Sequence, residues 1–139
     1  MTEIDQIEKF LKEIGWKVMR DGESQYAPLI CYEDEKPENK ITISPYPAED
    51  DEADEIRITP IQFYFEYNID EKLFNQDNFS DILLQKSKEL PYGTLNIFEN
   101  RIYYKYVMIC TNNKVDNVIV YDIMGVLLYV RDNVLSSMQ

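Results

Sequence analysis

Few side chains in this 139-residue sequence have the type and spacing for chemistry. There is no histidine. That removes imidazole as base, acid and metal ligand, and with it Ser-His-Asp and Cys-His nucleophiles and His-containing zinc sites. Two thiols remain, Cys31 and Cys110. They form no CxxC pair, and neither has a basic sequence neighbour to lower its pKa, so packed, reduced thiols are expected. Glu66 and Asp70 are carboxylates four residues apart, but a wet strand face explains them more simply than an acid–base pair across a cleft. The run Asp50, Asp51, Glu52, Asp54 and Glu55 is dense enough to attract a cation or mimic a nucleic-acid backbone. It lacks the glycine and spaced ligands of a calcium loop, and blocks of like charge are usually solvated loops. The four glycines, Gly15, Gly22, Gly93 and Gly125, are isolated and cannot form a phosphate-cradling loop. No catalytic residue, cofactor or metal site is expected.

Charge narrows the choice of partners. Fourteen Lys and Arg against 26 Asp and Glu give a net charge of −12, which repels phosphate backbones and disfavours direct nucleic-acid binding. The acidity is regional. Residues 1–70 hold 18 acidic and 7 basic residues, a net of −11, whereas residues 71–139 hold 8 and 7, a net of −1. The amino terminus carries Glu3 and Asp5 where a secretory leader would be basic, and no long apolar segment follows. The longest apolar stretch, Val118 to Val130, is too short to span ~30 Å of hydrocarbon and contains Asp122. A cytoplasmic protein without a membrane partner is expected. What remains is binding through tyrosine, which combines a large apolar ring with a polar tip. Tyr64, Tyr103 and Tyr104, with Tyr92 and Tyr106 nearby, are the candidates for a partner surface; ordinary strand residues spanning core and surface are the simpler account of them.

The elements that must position these residues follow from periodicity. Ile4, Ile7, Phe10, Leu11 and Ile14 fall on one helical stripe, with Thr2 and Asp5 as a capping box and Gly15 as a stop. Trp16–Arg20 reads as a strand ended by Asp21-Gly22, Leu29–Tyr32 can pair with it, and Lys40–Ser44 is β-branched and alternating until Pro45. The clearest strand has Ile61, Phe63, Phe65, Tyr67 and Ile69 on one face and Gln62, Tyr64, Glu66 and Asn68 on the other, with Pro60 marking an edge, bulge or bend. Phe79, Ile82, Leu83 and Leu90 predict a second helix, capped by Asp77 or Asn78 and ended by Pro91-Tyr92-Gly93. A hairpin follows, in which Leu95, Ile97, Ile102, Tyr104, Tyr106 and Met108 alternate about a reversal at Glu99-Asn100-Arg101.

The last segment, about 115 to 135, is ambiguous in composition, but its length favours a helix, with Asn112 or Asn113 as cap. A stripe of Val115, Ile119, Ile123, Val126 and Val130 is expected to meet the sheet. A second apolar set, Val120, Met124, Leu127 and Leu128, lies roughly 140° round the helix and needs another cover. Either other helices of the same chain supply that cover, or a two-fold partner does; the expectation favoured here is a homodimer held by these residues. The whole is expected to be one α+β domain over residues 1–139, an antiparallel sheet packed with helices in the order α-β-β-β-α-β-β-α.

This arrangement resembles the YbjN family and the type III secretion chaperone-like fold to which it belongs. The likeness rests on the helix Ile4–Ile14 running into Trp16-Lys17-Val18, the aromatic strand Ile61-Gln62-Phe63-Tyr64-Phe65, the helix Phe79–Leu90, the hairpin Leu95–Cys110, and the closing helix around Val120-Tyr121-Asp122-Ile123-Met124. It implies a small, acidic, non-enzymatic protein, commonly dimeric, that binds extended segments of other proteins or supports signalling. The competing expectation is an acidic inhibitor or immunity-type protein that masks a basic active site or a DNA-binding surface through Asp50, Asp51, Glu52, Asp54 and Glu55.

Overall fold

The structure, a computed structural model, describes residues 1–33, 39–46, 57–99 and 101–138. The acidic run Asp50, Asp51, Glu52, Asp54 and Glu55, most of the shorter run at 33–38, and Asn100 of the hairpin reversal lie outside the described residues.

Helix α1 (Glu3–Glu13) forms as its sequence dictates. The Thr2 hydroxyl accepts from the Asp5 N–H at 3.1 Å and the Asp5 carboxylate accepts from the Thr2 N–H at 2.9 Å, closing both halves of the capping box. Ile4, Ile7 and Leu11 are buried, and Gly15 takes a positive φ of 98° just past the end. The Arg20 guanidinium ties the helix to the first strand by pairing with Asp5 and, at 3.3 Å, with Glu8. The Thr2 backbone N–H, then the Thr2 and Arg20 side chains, hold the Asp5 carboxyl below the usual carboxylate value of 3.8. A depressed folded value stabilises the fold above the unfolded value, and that contribution is lost as pH falls through the lower folded value. Asp5→Asn is therefore expected to narrow the gap between urea midpoints measured at about pH 3 and about pH 6 relative to wild type; an unchanged gap would contradict this role.

Six strands form one antiparallel sheet, β1 (Lys17–Arg20), β2 (Leu29–Tyr32), β3 (Ile41–Pro45), β4 (Ile58–Tyr67), β5 (Thr94–Phe98) and β6 (Arg101–Thr111), in the spatial order β1-β2-β3-β4-β6-β5. Four strands precede the central helical segment, matching the four strand segments read one by one from the sequence and one more than the order α-β-β-β-α-β-β-α counts. The four-residue β2 is held on both sides, pairing Cys31 with Val18 of β1 and with Ile41 of β3. The long pair β4–β6 is the spine, with Tyr64 opposite Lys105 and Phe65 opposite Tyr104. Pro60 lies just beyond the last β3–β4 pair, Pro45 opposite Ile61, and its carbonyl accepts from the Tyr46 N–H at 2.9 Å. The connection from β4 to β5 carries a short α2 (Glu71–Phe74), absent from the expected order, and then α3 (Phe79–Ser87). A proline-free EKLF segment with Asp70 accepting from the Lys72 N–H at 3.0 Å is enough for one helical turn, too short to show periodicity.

Alternation divides the sheet into two unlike faces. One buries Val18, Leu29, Cys31, Ile41, Ile43, Ile61, Phe63, Phe65, Ile102, Tyr104, Met108 and Cys110 in a single core with residues of α1 and α4 (Asn117–Tyr129). The other carries Thr42, Gln62, Tyr64, Glu66, Tyr103, Lys105 and Asn96, none of them in that core.

Helix α4 corrects the sequence reading in three ways. Its cap is Asp116, whose carboxylate accepts from the Val118 N–H at 2.9 Å, while Asn112 and Asn113 adopt positive φ in the preceding turn. Its buried arc joins halves of both expected stripes: Val120, Met124 and Leu127, 0, 2 and 1 % exposed, share it with Ile123 and Val130, and Leu128 is half-buried. These residues are core, so the interface assigned to Val120, Met124 and Leu127 does not exist as surface. The reason is that α4 lies against both β4 and α1 and is covered on two sides, which shelters an arc wider than one stripe. Past Tyr129 the chain widens into a π-helical turn, Val130–Leu135, and closes in a 3-10 turn, Ser136–Met138. Among the described residues no helix is long and apolar enough to cross a membrane.

Candidate functional site

The sheet face opposite the helices presents two of the predicted tyrosines; Tyr92 and Tyr106 are half-buried, with their rings 4.6 Å apart beside the hairpin. Tyr64 on β4 and Tyr103 on β6 point to that face and are half-buried, one register step apart, since Tyr64 pairs with Lys105 and Glu66 with Tyr103. Tyr104 does not join them. Neighbours on a strand point to opposite faces, so when Tyr103 faces out Tyr104 must face in. It is fully buried, its ring lies 5.6 Å from Phe65, and its hydroxyl donates to the Tyr92 carbonyl. Burial pushes the Tyr104 phenol up to about 12. The pattern Ile102, Tyr104, Tyr106, Met108 already carried that signal.

Around Tyr64 and Tyr103 the strands build a depression of about 450 Å³ lined by Gln62, Tyr64, Asn96, Phe98, Tyr103 and Lys105. A second depression of about 340 Å³ adjoins it, sharing Tyr64 and Tyr103 and continuing across Ile30, Thr42, Lys40 and Glu66. The two tyrosines thus form a ridge between hollows that together cross β2, β3, β4, β6 and β5. The floor is fixed by side-chain bonds. Gln62 Nε2 donates to Ser44 Oγ at 2.9 Å, Lys105 Nζ donates to Tyr46 Oη at 3.1 Å while lying 5.8 Å from that ring's centre, and Arg101 pairs with Glu66 at 2.5 Å.

Phe98 is the site residue that sequence reasoning missed. It is 62 % exposed at the end of β5. The hairpin register places it opposite Arg101, two residues along from Asn96 opposite Tyr103, so all four share the open face. Counting outward from the reversal at 99–100 would have found it. Charge is the second feature missed. The strand residues on this face include Lys17, Arg101 and Lys105 and one acid, Glu66, which Arg101 pairs, while Lys40 and Asp21 both line the second hollow. Among the described residues the face is thus aromatic and close to balanced in charge, in a chain of net charge −12.

The groups that could do covalent chemistry are elsewhere. Cys31 and Cys110 are free and buried beneath the helices; burial, with a smaller push from Glu8, takes the Cys31 thiol up to about 12, and burial with Glu3 takes Cys110 to about 11. Neither is a thiolate near neutral pH. Glu3 is a buried carboxylate whose Oε1 accepts from Thr59 Oγ1 at 3.2 Å, a contact that locks α1 onto β4. Among the described residues no three His, Cys, Asp or Glu side chains are grouped to hold a metal ion.

No family model, curated protein or solved structure matches this chain. The surface itself must then carry the functional reading.

Proposed function

We propose that this protein is a non-enzymatic binding module, chaperone-like or supporting signalling, that holds an extended segment of another polypeptide across its open sheet face. One observation carries the reading: among the described residues no helix covers one face of the six-stranded sheet, and on that face Tyr64 and Tyr103, with the exposed Phe98 at the end of the edge strand β5, surround a shallow hollow. Rigid aromatic anchors on a strand scaffold lose little side-chain entropy when covered, and interfaces concentrate their energy in such residues. The hollows are long and open rather than deep, which suits a polypeptide segment better than a small molecule enclosed on most sides. The resemblance to the YbjN family and the secretion chaperone-like fold agrees with this reading and is part of the same proposal.

The test is affinity capture from lysate with wild type and with Tyr64→Ala/Tyr103→Ala. The double variant is expected to lose captured partner by roughly tenfold or more while its circular dichroism and melting cooperativity persist, because truncated hot-spot aromatics commonly cost over ~2 kcal/mol in binding. Capture by wild type should survive high salt, since Debye screening weakens charge contacts but not apolar ones. Capture that is equal in the double variant and collapses with salt would instead favour the acidic-inhibitor function.

A further inference from the structure

Strand β6 is paired along nearly its whole length on one side but along only half of it on the other. Its residues 102–111 pair with β4, whereas β5 pairs only with 101–105, so among the described residues 106–111 form an open strand edge. The reason lies at Gly93, whose φ of 89° turns the chain out of the line of β5 towards α4, where the Tyr92 hydroxyl donates to Asp122. The backbone groups along this edge can be assigned. Pro60, opposite Ile109, has no N–H, and its carbonyl accepts from the Tyr46 N–H just past β3, so the Pro60–Ile109 pair exchanges no hydrogen bond. Three residues on, the Asn112 N–H donates to the Arg57 carbonyl at 2.8 Å. Bonded and unbonded pairs alternate in an antiparallel ladder, so Val107, Ile109 and Thr111 turn their backbone groups away from β4. The Thr111 carbonyl accepts from the Lys114 N–H at 3.1 Å, whereas the N–H and C=O of Val107 and Ile109 meet no backbone partner among the described residues.

We infer that this edge of β6 takes an extended, uncharged segment of another polypeptide as an added strand in line with β5. Backbone chemistry chooses the occupant, because donors and acceptors alternating at strand spacing are matched by another strand's main chain. Six residues give an edge of roughly 20 Å. Beside it lies a hollow of about 580 Å³ lined by residues 108–111 and 114–119. Its apolar walls are open, with Ile109, Val118 and Ile119 57, 76 and 44 % exposed, and they can receive alternate side chains of the guest. The lining carries one cation, Lys114, and one acid, Asp116, which caps α4 through the Val118 N–H, so nothing there selects a charged segment. Residues 106–111, Tyr-Val-Met-Ile-Cys-Thr, also lack the proline or charge that usually guards an edge, whereas β1 at the other border of the sheet carries Lys17 and Arg20. The edge is recessed, closed at one end by Gly93 and at the other by the turn from Thr111 to Lys114, which suits a lone strand. A second copy of β6 would bring its own turn and its own β5 against those ends. This hollow shares no lining residue with the two around Tyr64 and Tyr103, so the inference stands apart from the binding reading above.

Amide hydrogen exchange followed by NMR on the full chain tests this, using as probe the capped peptide Thr-Val-Thr-Val-Thr-Gln at about 2 mM. In the free chain the Val107 and Ile109 amides are expected to exchange at least ~100-fold faster than those of Met108 and Cys110, which face β4. The peptide is expected to slow Val107 and Ile109 by about tenfold or more, and the same peptide N-methylated throughout to slow neither, because it cannot donate to the edge. Ile109→Pro removes only an outward N–H, a place where an edge strand accepts proline, and is expected to abolish the protection of Val107. Should that variant fail to fold, the methylated peptide decides. Val107 and Ile109 amides as slow as their neighbours in the free chain overturn the inference, as does the absence of slowing by the unmethylated peptide or equal slowing by the methylated one. Slowing that grows with protein concentration without peptide overturns it too, because the occupant is then a second copy.

Discussion

Met124→Glu is expected to abolish cooperative folding, whereas Tyr121→Glu, three residues earlier on the same helix, is expected to leave the melting curve almost unchanged. Met124 is 2 % exposed and sits among Val120, Ile123 and Leu127 in the arc that α1 and β4 cover. A carboxylate there has no cationic partner in that cluster and also forfeits the packing of a large apolar side chain. Burying an unpaired charge costs about 3–5 kcal/mol, with packing loss added, against a total stability of about 5–15 kcal/mol. Tyr121 is 65 % exposed, and substitutions at such positions stay within about 0.5 kcal/mol. Thermal melting followed by near-ultraviolet circular dichroism distinguishes the two. Equal behaviour of the two variants would mean that the buried arc of α4 is not the one described.

Gly93→Ala carries the second large effect, expected at about 3 kcal/mol and roughly a 10 °C fall in melting temperature. Gly93 has φ of 89°, in the left-handed region where a Cβ costs about 1–2 kcal/mol. The new Cβ would also stand 2.6 Å from the Tyr104 hydroxyl oxygen and 2.7 Å from the ring carbon that bears it. The obstacle is a fully buried ring whose hydroxyl is committed to the Tyr92 carbonyl, so it cannot swing away without losing that bond. Tyr92 is itself held by Asp122 on α4 and by its ring contact with Tyr106 at 4.6 Å, so the disturbance spreads to the junction of hairpin and helix. A melting temperature within 2–3 °C of wild type would contradict the close approach of Gly93 to Tyr104.

Local chemistry made much of this fold legible. Helix α1 was readable to its cap because Thr2, Asp5 and the Ile4, Ile7, Leu11 stripe all state the same helix, and Leu29–Tyr32 matched its strand without adjustment. Strand β4 announced its faces, since Ile61, Phe63 and Phe65 are buried while Gln62, Tyr64 and Glu66 are not. The errors arose where a residue's surroundings are set by distant parts of the chain. The side of α4 that is sheltered depends on where α1 docks, and no periodicity within 115–135 contains that information; apolar residues all round the helix allowed either half to be chosen. Tyr104 was misplaced for another reason, because tyrosine type was weighed above strand parity although Ile102 and Met108 flanked it on the buried face. Of the open face, Tyr64 and Tyr103 were legible one at a time. Their joint position beside Phe98 required the β4–β6–β5 register, which couples residues some 40 positions apart in sequence, as in the pairing of Tyr64 with Lys105.

On the proposed reading, Tyr64, Tyr103 and Phe98 of the open sheet face are the residues that would meet a different polypeptide.

The most direct measurement is photo-cross-linking inside cells from a benzophenone amino acid placed at Phe98. It should yield covalent adducts with another polypeptide, and these should fade when Tyr64 and Tyr103 are changed to alanine in the same chain. A Phe98 probe that gives no adduct with another protein, or adducts that persist undiminished without both tyrosines, would contradict the assignment of the open sheet face as the binding surface.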